Sequence, residues 1–270
     1  MMKRLLLVLL ALLLIPTGYV CAGTMVADLS NLDIWLIGFD RTPVQGEMTP
    51  GEGYFSHQGL QLTYEVYEQQ AAGVHPRVFV ETRFSAQDWT KAEYLTYWVK
   101  VDENSRGTSL STMVFGPQGS KLIRQSLSNY MSGDWQKVVI PLADYAEVGL
   151  GAVTSVRIVV EGIYGAGSSG SLILDALFLE EAEPTLDVTV EERNGVLYID
   201  VVSQEPLPLL PKVRLMDVRA LLGIGQPIYV EVERVSATEF QATYTLANER
   251  QFTVEVVSPG NPTVSAEWTR

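Results

Sequence analysis

Apolar and polar side chains alternate in run after run of this chain, and a period of two admits extended strands and little else. Leu60, Leu62, Tyr64 and Val66 alternate with Gln61, Thr63, Glu65 and Tyr67, and Val78, Val80, Thr82 and Phe84 alternate with Phe79, Glu81 and Arg83. Leu95, Tyr97 and Val99 alternate with Tyr94, Thr96, Trp98 and Lys100. Runs at 110–115, 122–127 and 156–161 continue the series. Pro50-Gly51, Gly116-Pro117 and the glycines between 165 and 170 read as punctuation between strands. No segment carries a long helical period; a turn or short helix at 142–147 is the one candidate ahead of residue 180. The chain is therefore expected to be all-β.

The first residues are of another kind. Lys3 and Arg4 precede an unbroken apolar run from Leu5 to Ile15, which Pro16 and Gly18 end. Eleven apolar residues are too few to span a bilayer, and Val20 and Ala22 offer compact side chains at the positions a signal peptidase reads. Residues 1–22 are expected to be a signal peptide cleaved after Ala22, leaving no transmembrane segment in the mature chain and placing the protein outside the cell or on its surface. Cys21 also admits a lipoprotein reading, which Val20 and Gly18 disfavour at positions where such sites carry a small residue and a Leu. Cleavage after Ala22 would remove the single cysteine, so stability would rest on burial without disulfides. Without Lys3 and Arg4 the 19 basic residues become 17 against 32 acidic ones, a net charge of −15. Nucleic acid is excluded as a partner on that balance, because phosphate binding needs concentrated Lys and Arg.

Composition shifts at Glu180 to Pro184, an acidic stretch with a proline, which is expected to link a domain at 23–181 to a smaller one at 182–270. In the second, Leu186–Val190 and Val196–Val201 flank an Asn194-Gly195 pair, a strong hairpin signal. Further strands are expected at 212–217, 227–235, 239–246 and 251–257, with a turn at 219–223. This spacing suits an immunoglobulin-like or fibronectin-like β-sandwich without an obvious core Trp.

Three stretches of the first domain stand out. They are D-W-T-K-A-E-Y-L-T-Y-W-V-K-V at 88–101, G-D-W-Q-K-V-V-I-P-L-A-D-Y at 133–145 and G-S-L-I-L-D-A-L-F-L at 170–179. In kind and order they resemble the motifs of galactose-binding-like jelly rolls, above all family eleven carbohydrate-binding modules and the related intermediate-associated domain. The third departs once, with Ala176 where a second Asp usually stands. The resemblance covers about residues 30–181 and implies a jelly-roll β-sandwich whose concave face binds a polysaccharide or glycan. It also implies a structural calcium, with Asp40 and Asp175 at the matching positions.

Chemistry that needs a thiol, a His pair or a phosphate cradle is disfavoured: His57 and His75 are the two histidines, and no G-x-S-x-G or H-E-x-x-H occurs. Glu65, Glu81 and Glu161 are strand acids of the kind a glycosidase pairs, although solvated strand faces commonly carry such residues. The expectation is a non-catalytic protein. Sugar binding needs rings for pyranose faces and forked or carboxylate groups for hydroxyls. Outward alternation offers Tyr67, Glu81, Arg83, Trp98 and Arg124, with Arg157 and Glu161 beside them; Trp89, Trp98 and Trp135 also suit packing. The rival expectation is a structural or adhesion protein whose sandwiches act as spacers or protein-contact modules, and a third is an assembly factor, against which export argues.

Overall fold

The computed structural model describes residues 23–40, 44–66, 76–163, 167–181, 185–207, 209–221, 226–247, 249 and 251–270. Residues 1–22, expected to be a signal peptide, and Cys21 among them, lie outside the described residues. Eleven strands occupy the first part of the chain: β1 (Met25–Ala27), β2 (Trp35–Asp40), β3 (Val44–Glu52), β4 (Gln58–Val66), β5 (Arg77–Gln87) and β6 (Tyr94–Val101). These are followed by β7 (Ser109–Gly116), β8 (Gly119–Ser126), β9 (Trp135–Pro141), β10 (Val153–Glu161) and β11 (Ser168–Glu180). One sheet has the order β3-β4-β11-β6-β9, with β1 also on β11, and the other has the order β2-β5-β10-β7-β8. All pairings are antiparallel, and the two sheets form a jelly-roll sandwich.

The alternation sets the faces. On β10, Val156, Ile158 and Val160 are fully buried between the sheets, while Ser155, Arg157, Val159 and Glu161 face away from the core. Trp89 is fully buried, its ring nitrogen donating to Gln87 Oε1 at 3.0 Å. Its neighbour Asp88 accepts from the Thr90 amide and hydroxyl at 2.9 and 2.7 Å. The D-W-T motif thus turns the chain with its Asp and drives its Trp into the core. The expected short helix is present as a 3-10 helix over Leu142–Val148. Pro50-Gly51, expected as a turn, instead lies inside β3. That strand is at the sheet edge, where a missing N–H costs no ladder bond.

The C-terminal part forms a second sandwich. Its strands are β12 (Leu186–Arg193), β13 (Val196–Ser203), β14 (Lys212–Met216), β15 (Ile228–Val230), β16 (Val232–Arg234), β17 (Glu239–Thr245), β18 (Gln251–Val257) and β19 (Val264–Thr269). Sheets β12-β13-β17-β16 and β15-β14-β18-β19 enclose Leu197, Ile199, Leu215, Phe240, Phe252 and Val254. Asn194 and Gly195 have φ of 54° and 78°, the two left-handed residues of a primed hairpin turn. Two expectations change here. The run at 227–235 is two strands in different sheets, broken at Glu231, and a core Trp exists: Trp268 is buried and stacked 6.0 Å from Phe252. Among the described residues no helix is long and apolar enough to cross a membrane.

Candidate functional site

Three of the five sequence-derived ligand residues, Glu81, Arg83 and Arg124, lie on the outward face of the β2-β5-β10-β7-β8 sheet, with Arg157 and Glu161 among them. Glu81 is buried, and its carboxylate accepts from Arg83 Nε at 2.7 Å and from Arg157 Nη2 and Nε at 2.6 and 3.1 Å, with the Ser155 hydroxyl at 3.2 Å. Glu161, also buried, accepts from Arg77 Nε at 2.8 Å, from Arg124 Nε and Nη2 at 2.8 and 3.2 Å, and from the Ser109 hydroxyl at 2.6 Å. Each carboxylate therefore sits between two guanidiniums. Burial pushes both carboxyls up, but the arginine hydrogen bonds and charges outweigh it and hold both below the ordinary 4.5.

The register explains the arrangement. Glu81 is opposite Arg157 and Arg77 opposite Glu161 on the β5-β10 pair, so the charges meet across strands as well as along them. The E-x-R of residues 81–83 and the R-x-x-x-E of residues 157–161 were the legible half of this pattern. Arg77, Ser109 and Ser155 were not singled out, because only strand pairing shows what stands opposite what. The Arg157 guanidinium also lies 3.8 Å over the Phe79 ring and 5.2 Å from that of Phe115. The tip of the Phe79 ring lies over Gly38 of β2, where a Cβ would come within 2.3 Å of it. A recess of about 400 Å³ opens here, lined by Glu81, Arg83, Phe84, Phe115, Ser155 and Arg157. Arg83 and Arg124 are the exposed members, with 70% and 53% of their side chains accessible, against 19% for Arg157.

Trp98 does not join this site. It is on β6 in the other sheet, 6% exposed, packed with Ala176, Phe178 and Val257 and against Tyr54, Phe55, Trp135 and Leu209. Val257 and Leu209 belong to the second sandwich, so the ring is spent on the contact between sandwiches. Lys137, 2.5 Å from Glu180, also donates to the Asn261 carbonyl across that contact at 3.3 Å. Tyr67 lies outside the described residues, and β4, which precedes it, is in the sheet of Trp98.

Asp40 and Asp175, expected as calcium ligands, are not brought together, for they are on different sheets. Asp175 Oδ2 accepts from the Tyr54, Phe55 and Ser56 amides at 2.7, 2.7 and 3.1 Å. Its Oδ1 accepts from the Ala176 amide at 2.8 Å and lies 2.8 Å from the Ser56 hydroxyl. The donor set around Asp175 is N–H and O–H, the opposite of what a cation needs, so the pair does not fit calcium. No group of three or more His, Cys, Asp or Glu side chains suited to a metal occurs among the described residues.

The Ala176 departure has a physical reason. Ala176 is at a β-bulge with φ of 55°, and its methyl packs in the contact between sandwiches. Ala176→Asp would place a carboxylate among Trp98, Phe178 and Val257. It should cost about 3 kcal/mol, a fall of roughly 10 °C in the thermal midpoint, while Ala176→Gly stays within about 1 kcal/mol of wild type. Differential scanning calorimetry of the three proteins checks this; equal midpoints for Asp and Ala would show the contact to be loose.

A second recess, about 800 Å³, lies on the other sheet and is lined by Gln45, Glu47, Thr63, Glu65, Asp102, Asn104, Ser169 and Ser171. Its Asp102 already accepts from Asn104, and the ring of its Tyr64 is buried. Glu65 therefore lies on the opposite sheet from Glu81 and Glu161. Of the three strand acids, Glu81 and Glu161 share a face and Glu65 does not join them.

No protein-family profile and no curated protein matches the chain. Among solved structures, it is similar to the family 11 carbohydrate-binding module of the cellulosomal cellulase Lic26A-Cel5E of Clostridium thermocellum, at 14% identity and a TM-score of 0.43, over 61% of this chain and 97% of that one. A carbohydrate-binding module specific for non-crystalline cellulose, CBM28, matches at 15% identity and 0.41, over 62% and 98%. A β-1,2-glucanase from Parabacteroides distasonis matches 94% of this chain at 16% identity and 0.45, although that match spans 39% of the glucanase. At these identities and TM-scores the likeness assigns this chain no role.

Proposed function

We propose that the protein is an exported, non-catalytic carbohydrate-binding protein and that it holds a polysaccharide on the outward face of the β2-β5-β10-β7-β8 sheet. The observation that carries this reading is the pair of exposed guanidiniums, Arg83 and Arg124, each anchored through Nε to a buried carboxylate. An anchored fork loses little rotamer freedom when it donates to neighbouring hydroxyls, so binding costs less entropy. Phe115 and the exposed Leu36 supply apolar surface on the same face for the C–H side of a pyranose. Glu81 and Glu161 are held ionised between arginines, which leaves neither with a proton to give as a general acid, in keeping with binding rather than cleavage.

Affinity electrophoresis of the mature protein through gels containing plant, fungal or bacterial polysaccharides tests the proposal. Retention by at least one, weakened roughly ten-fold in Arg83→Ala, is the expected result, since truncating a binding residue commonly costs more than about 1 kcal/mol; Arg157 and Ser155 still hold the buried Glu81, so the domain stays folded with a thermal midpoint only a few degrees lower. Equal migration in every gel would transfer the protein to the adhesion or spacer reading, for which the exposed Leu221, Tyr229 and Val235 of the second sandwich would be the surface to examine.

A further inference from the structure

The chain is acidic overall, with a formal net charge of −13, yet the proposed face runs the other way. Among the described residues Arg77, Arg83, Arg124 and Arg157 stand there against Asp40, Glu81 and Glu161. The two Glu carboxylates are buried and saturated by arginine and serine donors, so what this face presents to solvent is mainly guanidinium. Arg83 commits only its Nε to Glu81, which turns its two terminal nitrogens outward, and Arg124 commits Nε and Nη2 to Glu161 and keeps Nη1.

A neutral glycan needs donors and acceptors in comparable numbers, because each hydroxyl does both. This face is rich in donors and poor in available acceptors. The chemistry that matches it is a planar anion, and the protein itself displays the pairing in Arg124, whose Nε and Nη2 take the two oxygens of Glu161, while Arg157 brings two nitrogens to one oxygen of Glu81. Arg83 and Arg124 are four residues apart along the strands and three strands apart across them. With a rise of about 3.4 Å per residue and a strand spacing of about 4.8 Å, that places them about 20 Å apart on a diagonal. Between them lie Arg157, Phe115 and Met113, a floor on which the intervening sugar rings can rest.

Resting on the carbohydrate-binding reading above, we propose that the ligand is a uronic-acid polysaccharide whose carboxylates pair with Arg83 and Arg124. An acidic protein is repelled by polyanions in general, so retention by such a polymer reports the local pairing and not overall charge. The probes are polygalacturonate and alginate as uronate polymers, galactan and mixed-linkage β-glucan as neutral ones, and dextran sulfate as a non-uronate polyanion. Microscale thermophoresis of the full mature chain reads each.

The expected result is binding to at least one uronate polymer, at least ten-fold tighter than to either neutral polymer. Methyl esterification of the polygalacturonate should remove that advantage. Arg83→Ala and Arg124→Ala should each weaken uronate binding roughly ten-fold, Arg83→Lys should weaken it less, and Glu47→Ala on the other sheet should leave it unchanged. Comparable binding to neutral and uronate polymers, insensitive to esterification, would overturn this inference while leaving carbohydrate binding standing. Binding to dextran sulfate alone would overturn it too. No binding to any probe or to the wider polysaccharide set would remove the carbohydrate reading itself.

Discussion

Asp175→Ala should lower the thermal midpoint by roughly 10 °C, the counterpart of about 3 kcal/mol in a chain of this size, and should split unfolding into two steps. The carboxylate takes three consecutive amides, from Tyr54, Phe55 and Ser56, on one oxygen and the Ala176 amide on the other. Such a concave row of N–H groups is an anion nest, and here the anion is the protein's own. Without it four N–H groups lose their acceptor at a site where Asp175 is 2% exposed. The consequence extends beyond the loop. Tyr54 lies 4.6 Å from Trp98 and 5.6 Å from Trp135, with Lys212 of the second sandwich 4.9 Å above its ring. Its phenol is raised by burial and then by the neighbouring Tyr229, another residue of that sandwich. Releasing residues 54–56 thus loosens the contact between sandwiches, and calorimetry should resolve two transitions where wild type shows one. A variant that unfolds in one step at the wild-type midpoint would show that the nest does not hold the two together.

Alternation made the fold class readable. Val156, Ile158 and Val160 on one side and Arg157 and Glu161 on the other are assigned correctly by counting alone, and the W-Q-K and I-L-D stretches fall on β9 and β11, while D-W-T is the turn between β5 and β6 and no part of a strand. Counting gives a face, however, and not a sheet. Trp98 and Glu81 both alternate outward, but β6 and β5 belong to different sheets, so the two outward faces are opposite sides of the sandwich. Which sheet a strand joins depends on pairings between residues as distant as Glu81 and Arg157, for which a local pattern carries no signal.

The same limit explains Trp98 and Asp175. A Trp on an outward face reads as a ligand platform until a second body covers it, and the covering residues Val257 and Leu209 come from beyond residue 200. Asp175 reads as a cation ligand on the resemblance until its partners are seen to be amides more than a hundred positions away. Pro50-Gly51 misled for a different reason: turn chemistry and edge-strand chemistry share residues, and only the neighbour on one side of β3 separates them. The arginine cluster was half visible because its i, i+2 and i, i+4 members are local, while Arg77 and Ser109 enter from separate strands.

Glu161→Gln separates the structural part of that cluster from its electrostatics. The substitution keeps the shape but leaves Arg77 and Arg124 without their counter-charge. Removing one partner of a buried pair costs about 3–5 kcal/mol, and because Arg124 is 53% and Arg77 29% exposed, water recovers part of that. An expected loss of about 2 kcal/mol at pH 7, or roughly 5 °C, follows. The pH dependence gives the decisive signature. The Glu161 carboxyl is held below the ordinary 4.5 in the folded state, so it binds protons less readily there than in the unfolded chain. Its contribution is complete above that ordinary value and disappears as pH falls through the lowered folded one. Wild type should therefore lose stability on acidification below about pH 4.5 while Glu161→Gln, with nothing to protonate at that position, loses less. The two stability curves should lie apart at neutral pH and approach each other in acid. Urea titrations at pH 7, 5, 4 and 3 measure the gap; a gap that stays constant across the series would mean that Glu161 stabilises this sheet by packing and not by its charge.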